Sequence, residues 1–275
     1  MLREFLRTLN VDCPTWARQL GLAREHAAIA ARHERARAAW APHLAASGET
    51  ILAGAARCPT RRRGLIIGAG DCLDVPVAEL VDQFDEVWLA DVVVSPAARS
   101  LARRFRGRLR CVSWDATGAL ARLAGGRRTI TPAAARLLFE QADPGPPPGG
   151  ESDLVVSANC LSQLGLVPGH SLSAAERDKK LPDACAAAAA RRHLDWLAKR
   201  SGVRVLLADS ARLDIAPDGR VLKRENLRGR FGLRAPDRVW RWQLAPIPEW
   251  SLEFHRVHEV GAWIDGATTS MEPIQ

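Results

Sequence analysis

The 275-residue chain contains no tyrosine, which removes the phenol that a Ser/Tyr/Lys set for hydride transfer needs. Its six cysteines, at positions 13, 58, 72, 111, 160 and 185, form no CxxC pair and have no zinc-type spacing, so they offer no metal knuckle. Several fall inside apolar strand patterns, where a reduced thiol packs as a small hydrophobe, and a reducing, cytoplasmic setting is the expectation. No run approaches the roughly 18 apolar residues of a membrane span, and the opening residues Met1 to Arg7 are charged at helical intervals without the core of a signal peptide. A soluble protein with no membrane partner is expected. No Ser-His-Asp elbow, zincin motif, Walker loop, helix-turn-helix or internal repeat is present.

What the chain has is arginine and alanine, with a net charge of +8 that is unevenly placed. Residues 1–64 hold 11 Arg against 5 acids, and residues 212–241 hold 9 Arg or Lys against 4 acids. Two readings follow. Basic segments flanking a cleft would focus field on an anionic acceptor; arginines spread over helix faces would be merely solvated. The second is favoured, because Arg is abundant throughout. The tryptophans fall in core-like periodic patterns rather than as stacking platforms, which argues against nucleic acid as a partner.

Residues 2–56 read as helices, with Asp12 or Thr15 as a cap and a long pattern from Leu22 to Leu44 at helical spacing. After a basic stretch, strands are predicted at about 64–68, 86–91, 109–114, 153–158 and 203–208, with helices between them at about 74–83, 96–105, 118–124, 132–141 and 183–200. The Pro- and Gly-rich stretch 143–150 reads as an exposed loop. Strands separated by helices argue for a doubly wound, mostly parallel α/β sheet with its ligand at the carboxyl ends of the strands. Near residues 239–244 and 251–260 the pattern changes to period two, which predicts an antiparallel pair at the sheet edge. The expected organisation is an N-terminal helical segment, 1–60, acting as a lid or cap, followed by a Rossmann-like domain, 61–275.

The most informative stretch is Leu65-Ile66-Ile67-Gly68-Ala69-Gly70-Asp71-Cys72-Leu73, with Asp91 closing Val87-Trp88-Leu89-Ala90-Asp91. Gly68 and Gly70 let the backbone turn sharply and approach a ligand without a Cβ in the way. The next helix would aim free N–H groups at an anionic group, and an acid at the tip of the second strand accepts hydrogen bonds from a ribose diol. Together they suggest an adenosyl ligand. A dinucleotide site wants a small residue at position 73, where Leu73 leaves little room for a pyrophosphate.

Here the chain resembles the class I S-adenosylmethionine-dependent methyltransferases, whose first motif is a looser Gly-x-Gly-x-Gly, whose second strand ends in an acid, and whose five parallel strands are followed by an antiparallel pair. The resemblance covers about residues 64–264. It implies S-adenosylmethionine as cofactor, with Gly68, Gly70 and Cys72 (in place of the third glycine) along the methionine part, Asp91 on the ribose, and Asp115 on the adenine amine or, alternatively, capping the next helix. Asn159 and Gln163 after strand four would face the transferable methyl, with Asn159 counted among the cofactor-binding residues, and the Asn-Pro-Pro-Tyr type motif of base methyltransferases is absent. Of the candidate bases His170, His193, His255 and His258, His193 is preferred from its helix between strands four and five. The expected activity is methyl transfer to O or N of a small or medium, possibly anionic acceptor. The alternatives are a non-catalytic Rossmann-like adenosyl-ligand binder, motivated by Ile66 and Cys72 as departures from the motif, and an NAD-dependent oxidoreductase, disfavoured by Leu73 and the missing tyrosine.

Overall fold

A computed structural model describes residues 2–126, 130–165 and 180–266. The chain opens with four helices, α1 (Leu2–Asn10), α2 (Thr15–Leu20), α3 (Leu22–Arg35) and α4 (Arg37–Ala56). The pattern from Leu22 to Leu44 is therefore two helices that part at Ala36. Neither expected cap forms: Pro14 precedes α2 with no side-chain cap, and Asp12 instead exchanges two backbone hydrogen bonds with Val94, of 2.9 and 2.8 Å. That bridge ties the N-terminal segment to the loop after the second strand.

The sheet follows with β1 (Arg63–Ile67), α5 (Val77–Gln83), β2 (Glu86–Asp91), α6 (Pro96–Arg104), β3 (Leu109–Ser113), α7 (Leu120–Gly126), α8 (Pro132–Gln141) and β4 (Leu154–Ala158). Next come a 3-10 turn at Leu161–Gln163, α9 (Lys180–Ala198), β5 (Val203–Ile215), β6 (Val221–Asn226), α10 (Leu227–Phe231), β7 (Arg238–Ala245) and β8 (His255–Asp265). The strand order is β3-β2-β1-β4-β5-β8-β7, with β6 paired to β5 off this path. The first five strands are parallel, in register Ile67 with Ala90 and with Ser157, and Ala158 with Leu207. β8 and β7 then run antiparallel, as the period-two tail predicts.

Apolar strands covered on both faces explain why the core reads as continuous hydrophobic runs. On one face Ile66 packs with Ile51 and Ala55 of α4 and Leu80 and Val81 of α5. On the other, Leu65 and Ile67 pack with Ala190, Trp196 and Leu197 of α9. α4 lies so close that a Cβ on Gly54 would sit 2.3 Å from Val205 Cγ2, so packing is continuous across residue 60.

β5 runs seven residues beyond the predicted strand end at 208. Where β4 stops, β6 takes over the vacated side, Ala211 pairing with Asn226. β6 is nearly all solvent-exposed, so backbone pairing holds it rather than apolar burial, and it leaves no hydrophobic signature. Among the described residues no helix is long and apolar enough to cross a membrane, and all six cysteines carry free thiols.

Candidate functional site

A cavity of about 220 Å³ opens at the carboxyl ends of β1 to β4, roofed by α3 and α4. Its floor is the loop after β1. Gly68 and Gly70 both have positive φ, +77° and +49°, and differ in surroundings. A Cβ at Gly68 would meet Cys160 Cβ at 2.8 Å and the Ala158 carbonyl at 2.9 Å, whereas one at Gly70 would meet nothing within 4 Å. Gly68 thus serves close packing of the β1 and β4 tips, and Gly70 keeps open the space where a ligand would lie.

Asp91, at the tip of β2, accepts hydrogen bonds from Gly70 N–H to Oδ2 (3.0 Å) and from Val93 N–H to Oδ1 (3.1 Å). Burial raises its pKa, and these N–H donors only partly offset the rise. A carboxylate has about four lone-pair sites, so two bonds leave acceptor capacity for a diol. Asp115 beyond β3 accepts from Thr117 N–H and hydroxyl on Oδ1 (2.8 and 2.7 Å) and from Leu120 N–H on Oδ2 (2.8 Å). The capping role is realised in the structure, and Asp115 also lines the cavity.

Asn159, at the tip of β4, has a left-handed backbone, φ +51°. Its Nδ2 donates to Asp74 Oδ2 (2.7 Å), and its carbonyl accepts from Gln163 Nε2 (2.9 Å). Asp74, Asn159 and Gln163 all line the cavity.

Three expectations fail. Cys72 has a left-handed backbone, φ +58°, but its side chain packs against the apolar core beside Cys111 and does not line the cavity. Burial raises its thiol pKa strongly. His193 is fully buried between the sheet and α9, its Nε2 2.9 Å from the Ser157 hydroxyl, outside the cavity. Burial pushes its pKa down to about 4, against an opposing pull from the Ala116 backbone, so it is neither placed nor poised as the base. Helix α5 begins only at Val77, and the lining ends at Asp74; loop backbone, not a helix N-terminus, faces the ligand space. His170 lies outside the described residues, as does most of the loop 164–182. His255 accepts from Ile247 N–H on Nδ1 (3.0 Å), and His258 pairs with Asp209 (3.0 Å); neither lines the cavity.

The side chains that the roof contributes are not among the sequence candidates. His26 of α3 lies 3.3 Å from Asp71 in the glycine loop. Burial alone would lower the His26 pKa, but the hydrogen bond to Asp71 and the charges of Asp71 and Asp91 outweigh it, and the net shift is upward. Trp40 and His43 of α4 line the cavity with Trp242 of β7. His43 stacks on Trp242 at 4.1 Å, and its Nδ1 accepts from Trp240 Nε1–H at 3.0 Å, which leaves its ring proton on Nε2. Burial takes its pKa down to about 4. These residues come from sequence positions about 200 apart, and no local pattern signals the meeting.

The basic side chains lie elsewhere. The cavity is lined by Glu25, Asp71, Asp74, Asp91 and Asp115 and by no Arg or Lys. Arg224 grips Glu259 with both nitrogens, Arg212 pairs with Glu225, Arg230 with Asp183, and Arg62 with Asp153. Several of the basic residues are tied into surface ion pairs, and the lining of the cleft is rich in acids.

No protein-family model and no curated protein matches the chain. Among solved structures it is similar to a Burkholderia thailandensis 1,6-didemethyltoxoflavin-N1-methyltransferase with bound 1,6-didemethyltoxoflavin and S-adenosylhomocysteine, at 17% identity and a TM-score of 0.41, covering 92% of this chain and 93% of that one. It is also similar to a sugar N-methyltransferase from a Streptoalloteichus species, at 16% identity and a TM-score of 0.30, covering 71% of this chain and 52% of that one. The chain's own strand order and register define its fold: a Rossmann-like, doubly wound α/β sheet with antiparallel C-terminal strands.

Proposed function

We propose that the protein is a class I S-adenosylmethionine-dependent methyltransferase acting on O or N of a small or medium acceptor. The observation that carries this reading is the Gly68 to Asp74 loop. It leaves open space over Gly70, is fastened through Gly70 N–H to the acid at the tip of β2, and faces a cavity whose lining holds five acids and no Arg or Lys. A ligand carrying both sulfonium and ammonium charges suits that lining; a pyrophosphate does not, and Leu73 lines the space it would need.

The fit extends across the strand tips. Asp115 beyond β3 and Asp91 beyond β2 would hold adenine and ribose, with Gly68 and Gly70 beyond β1 along the methionine arm. When bound, the cofactor supplies a methyl already activated by its sulfonium. The task left to the chain is alignment of the acceptor, with exclusion of water by the roof of α3 and α4. His43, neutral with its proton on Nε2, suits hydrogen-bond donation to the acceptor rather than proton removal. The acid-lined cavity supports a neutral or cationic acceptor over an anionic one, and a nucleic-acid backbone fits it poorly. The first 60 residues serve on this reading as both roof and core.

Isothermal titration with S-adenosylmethionine, S-adenosylhomocysteine and NAD tests the reading. Binding of the first two and not the third is expected. Asp91→Ala should weaken S-adenosylhomocysteine binding by about 1.5–3 kcal/mol, the range for losing hydrogen bonds to a charged group. A wild type that binds NAD instead, or an Asp91→Ala protein that binds S-adenosylhomocysteine unchanged, would sink the assignment.

A further inference from the structure

Asp74 and Asn159 form a pair whose valences are not filled by the protein. Asn159 is 8% exposed, and its side-chain Oδ1 is buried with no hydrogen-bond partner. Its other polar groups are committed: the backbone N–H to Leu207 O (2.9 Å), the carbonyl to Gln163, and Nδ2 to Asp74. Burying an acceptor without a donor carries the desolvation penalty of that group with nothing to offset it. The neighbouring Asp74 carboxylate faces a cavity with no Arg or Lys in its lining, so no fixed cation of the protein balances it there. Burial accordingly raises the Asp74 pKa, against the hydrogen bond from Asn159. An orphaned carbonyl oxygen beside an uncompensated carboxylate is the donor-poor, anionic half of a site for a group with several N–H donors and a positive charge.

We propose that Asp74 and the Asn159 side-chain oxygen seat the ammonium group of the cofactor's amino-acid arm. This inference rests on the adenosyl-ligand reading above. Position supports the cofactor over an amine-bearing acceptor as the source of the ammonium. Asp74 belongs to the same loop as Gly68 and Gly70, and Asn159 stands at the tip of β4, beside β1. Across the sheet the tips run Asp115, Asp91, Gly68 to Gly70, Asn159. Two strand spacings, roughly 10 Å, separate the β2 and β4 tips, so a ligand with its ribose at Asp91 extends its arm over the glycine loop toward Asp74 and Asn159. One ammonium then donates to the carboxylate and to Asn159 Oδ1, filling both valences at once.

The test compares S-adenosylhomocysteine with 5′-methylthioadenosine, which keeps the adenosine and lacks the amino acid, by calorimetry on wild type, Asp74→Asn and Asn159→Gly. Asp74→Asn preserves shape and removes charge, and Asn159→Gly tolerates the positive φ; thermal melting establishes that each variant is folded. The expected result is a wild type that prefers S-adenosylhomocysteine, and variants that lose about tenfold or more of that affinity while 5′-methylthioadenosine binding stays within about twofold. Unchanged S-adenosylhomocysteine binding in Asp74→Asn overturns the proposal and points to an acceptor amine. Equal losses for both ligands overturn it in favour of a structural role. A wild type that binds both ligands equally well overturns the ammonium seat and leaves the adenosyl reading standing. A wild type that binds neither brings down both.

Discussion

Two glycines two positions apart do different work at the residue scale. Both have left-handed backbones, so any Cβ brings strain of about 1–2 kcal/mol, but only Gly68 faces atoms closer than van der Waals contact. Gly68→Ala must displace the Ala158 carbonyl or Cys160, which are backbone and buried groups, and should lower stability by about 2–4 kcal/mol. Gly70→Ala meets open space and should cost little beyond the strain, yet it puts a methyl where the ligand would lie. Denaturant melts and calorimetry on the two variants should therefore dissociate: the first loses stability, the second loses affinity. Equal behaviour would show that Gly70 is only part of the turn. Cys72 makes the complementary point: it too holds a left-handed φ, +58°, and its half-buried side chain packs against the core rather than lining the cavity.

At the scale of elements, one contact that closes the roof on the floor is the His26–Asp71 pair between α3 and the glycine loop. Its pH dependence has a definite sign. The His26 pKa is raised on folding, so its contribution is fully present below the unfolded value of about 6.5 and is lost as pH rises through the higher folded value. On the acid side, burial would raise the Asp71 pKa, but the hydrogen bond and charge of His26 prevail and lower it, so its contribution is present above about 3.8 and lost as pH falls through the folded value. The pair is therefore strongest between about pH 4 and 6.5. His26→Gln should lower stability by about 0.5–2 kcal/mol in that window, and the gap to wild type should narrow as pH rises above it. Melting curves from pH 5 to 9 provide the check, and a gap that widens with pH would contradict the assignment.

For the whole molecule, two histidines on opposite sides of the sheet are buried in the neutral form. Burial takes both His43 and His193 down to about 4. Protonation then favours the unfolded chain. The stability they confer is fully present above about pH 6.5 and is lost as pH falls from there to about 4, by roughly 3 kcal/mol each. Urea unfolding at successive pH values should show this loss, and His193→Gln should flatten part of the slope. An acid limb unchanged by that substitution would mean that His193 is not held neutral. The same global view locates the charge: a net +8 describes the surface, where Arg224–Glu259 and Arg230–Asp183 pair, and not the cavity, whose lining is acidic.

The sequence by itself determined the parallel sheet, because its strands are buried on both faces and so read as short apolar runs between helices. It also determined the glycine turn and its partner acid, whose chemistry is local to a strand tip and a fixed spacing, so that Gly70 and Asp91, 3.0 Å apart in the fold, are legible in the sequence. Tertiary structure alone decided which side chains face the cavity. Cys72 and His193 are at plausible positions along the chain and point into the core, since one rotation about a Cα or one helix face separates a site residue from a packed one. It also decided the roof, where His43 meets Trp240 and Trp242 across nearly 200 residues, and the excursion of β5 and β6, whose backbone pairing leaves polar sequence behind. Contacts between distant segments, and the direction of a side chain, are properties of the closed fold and carry no period along the chain.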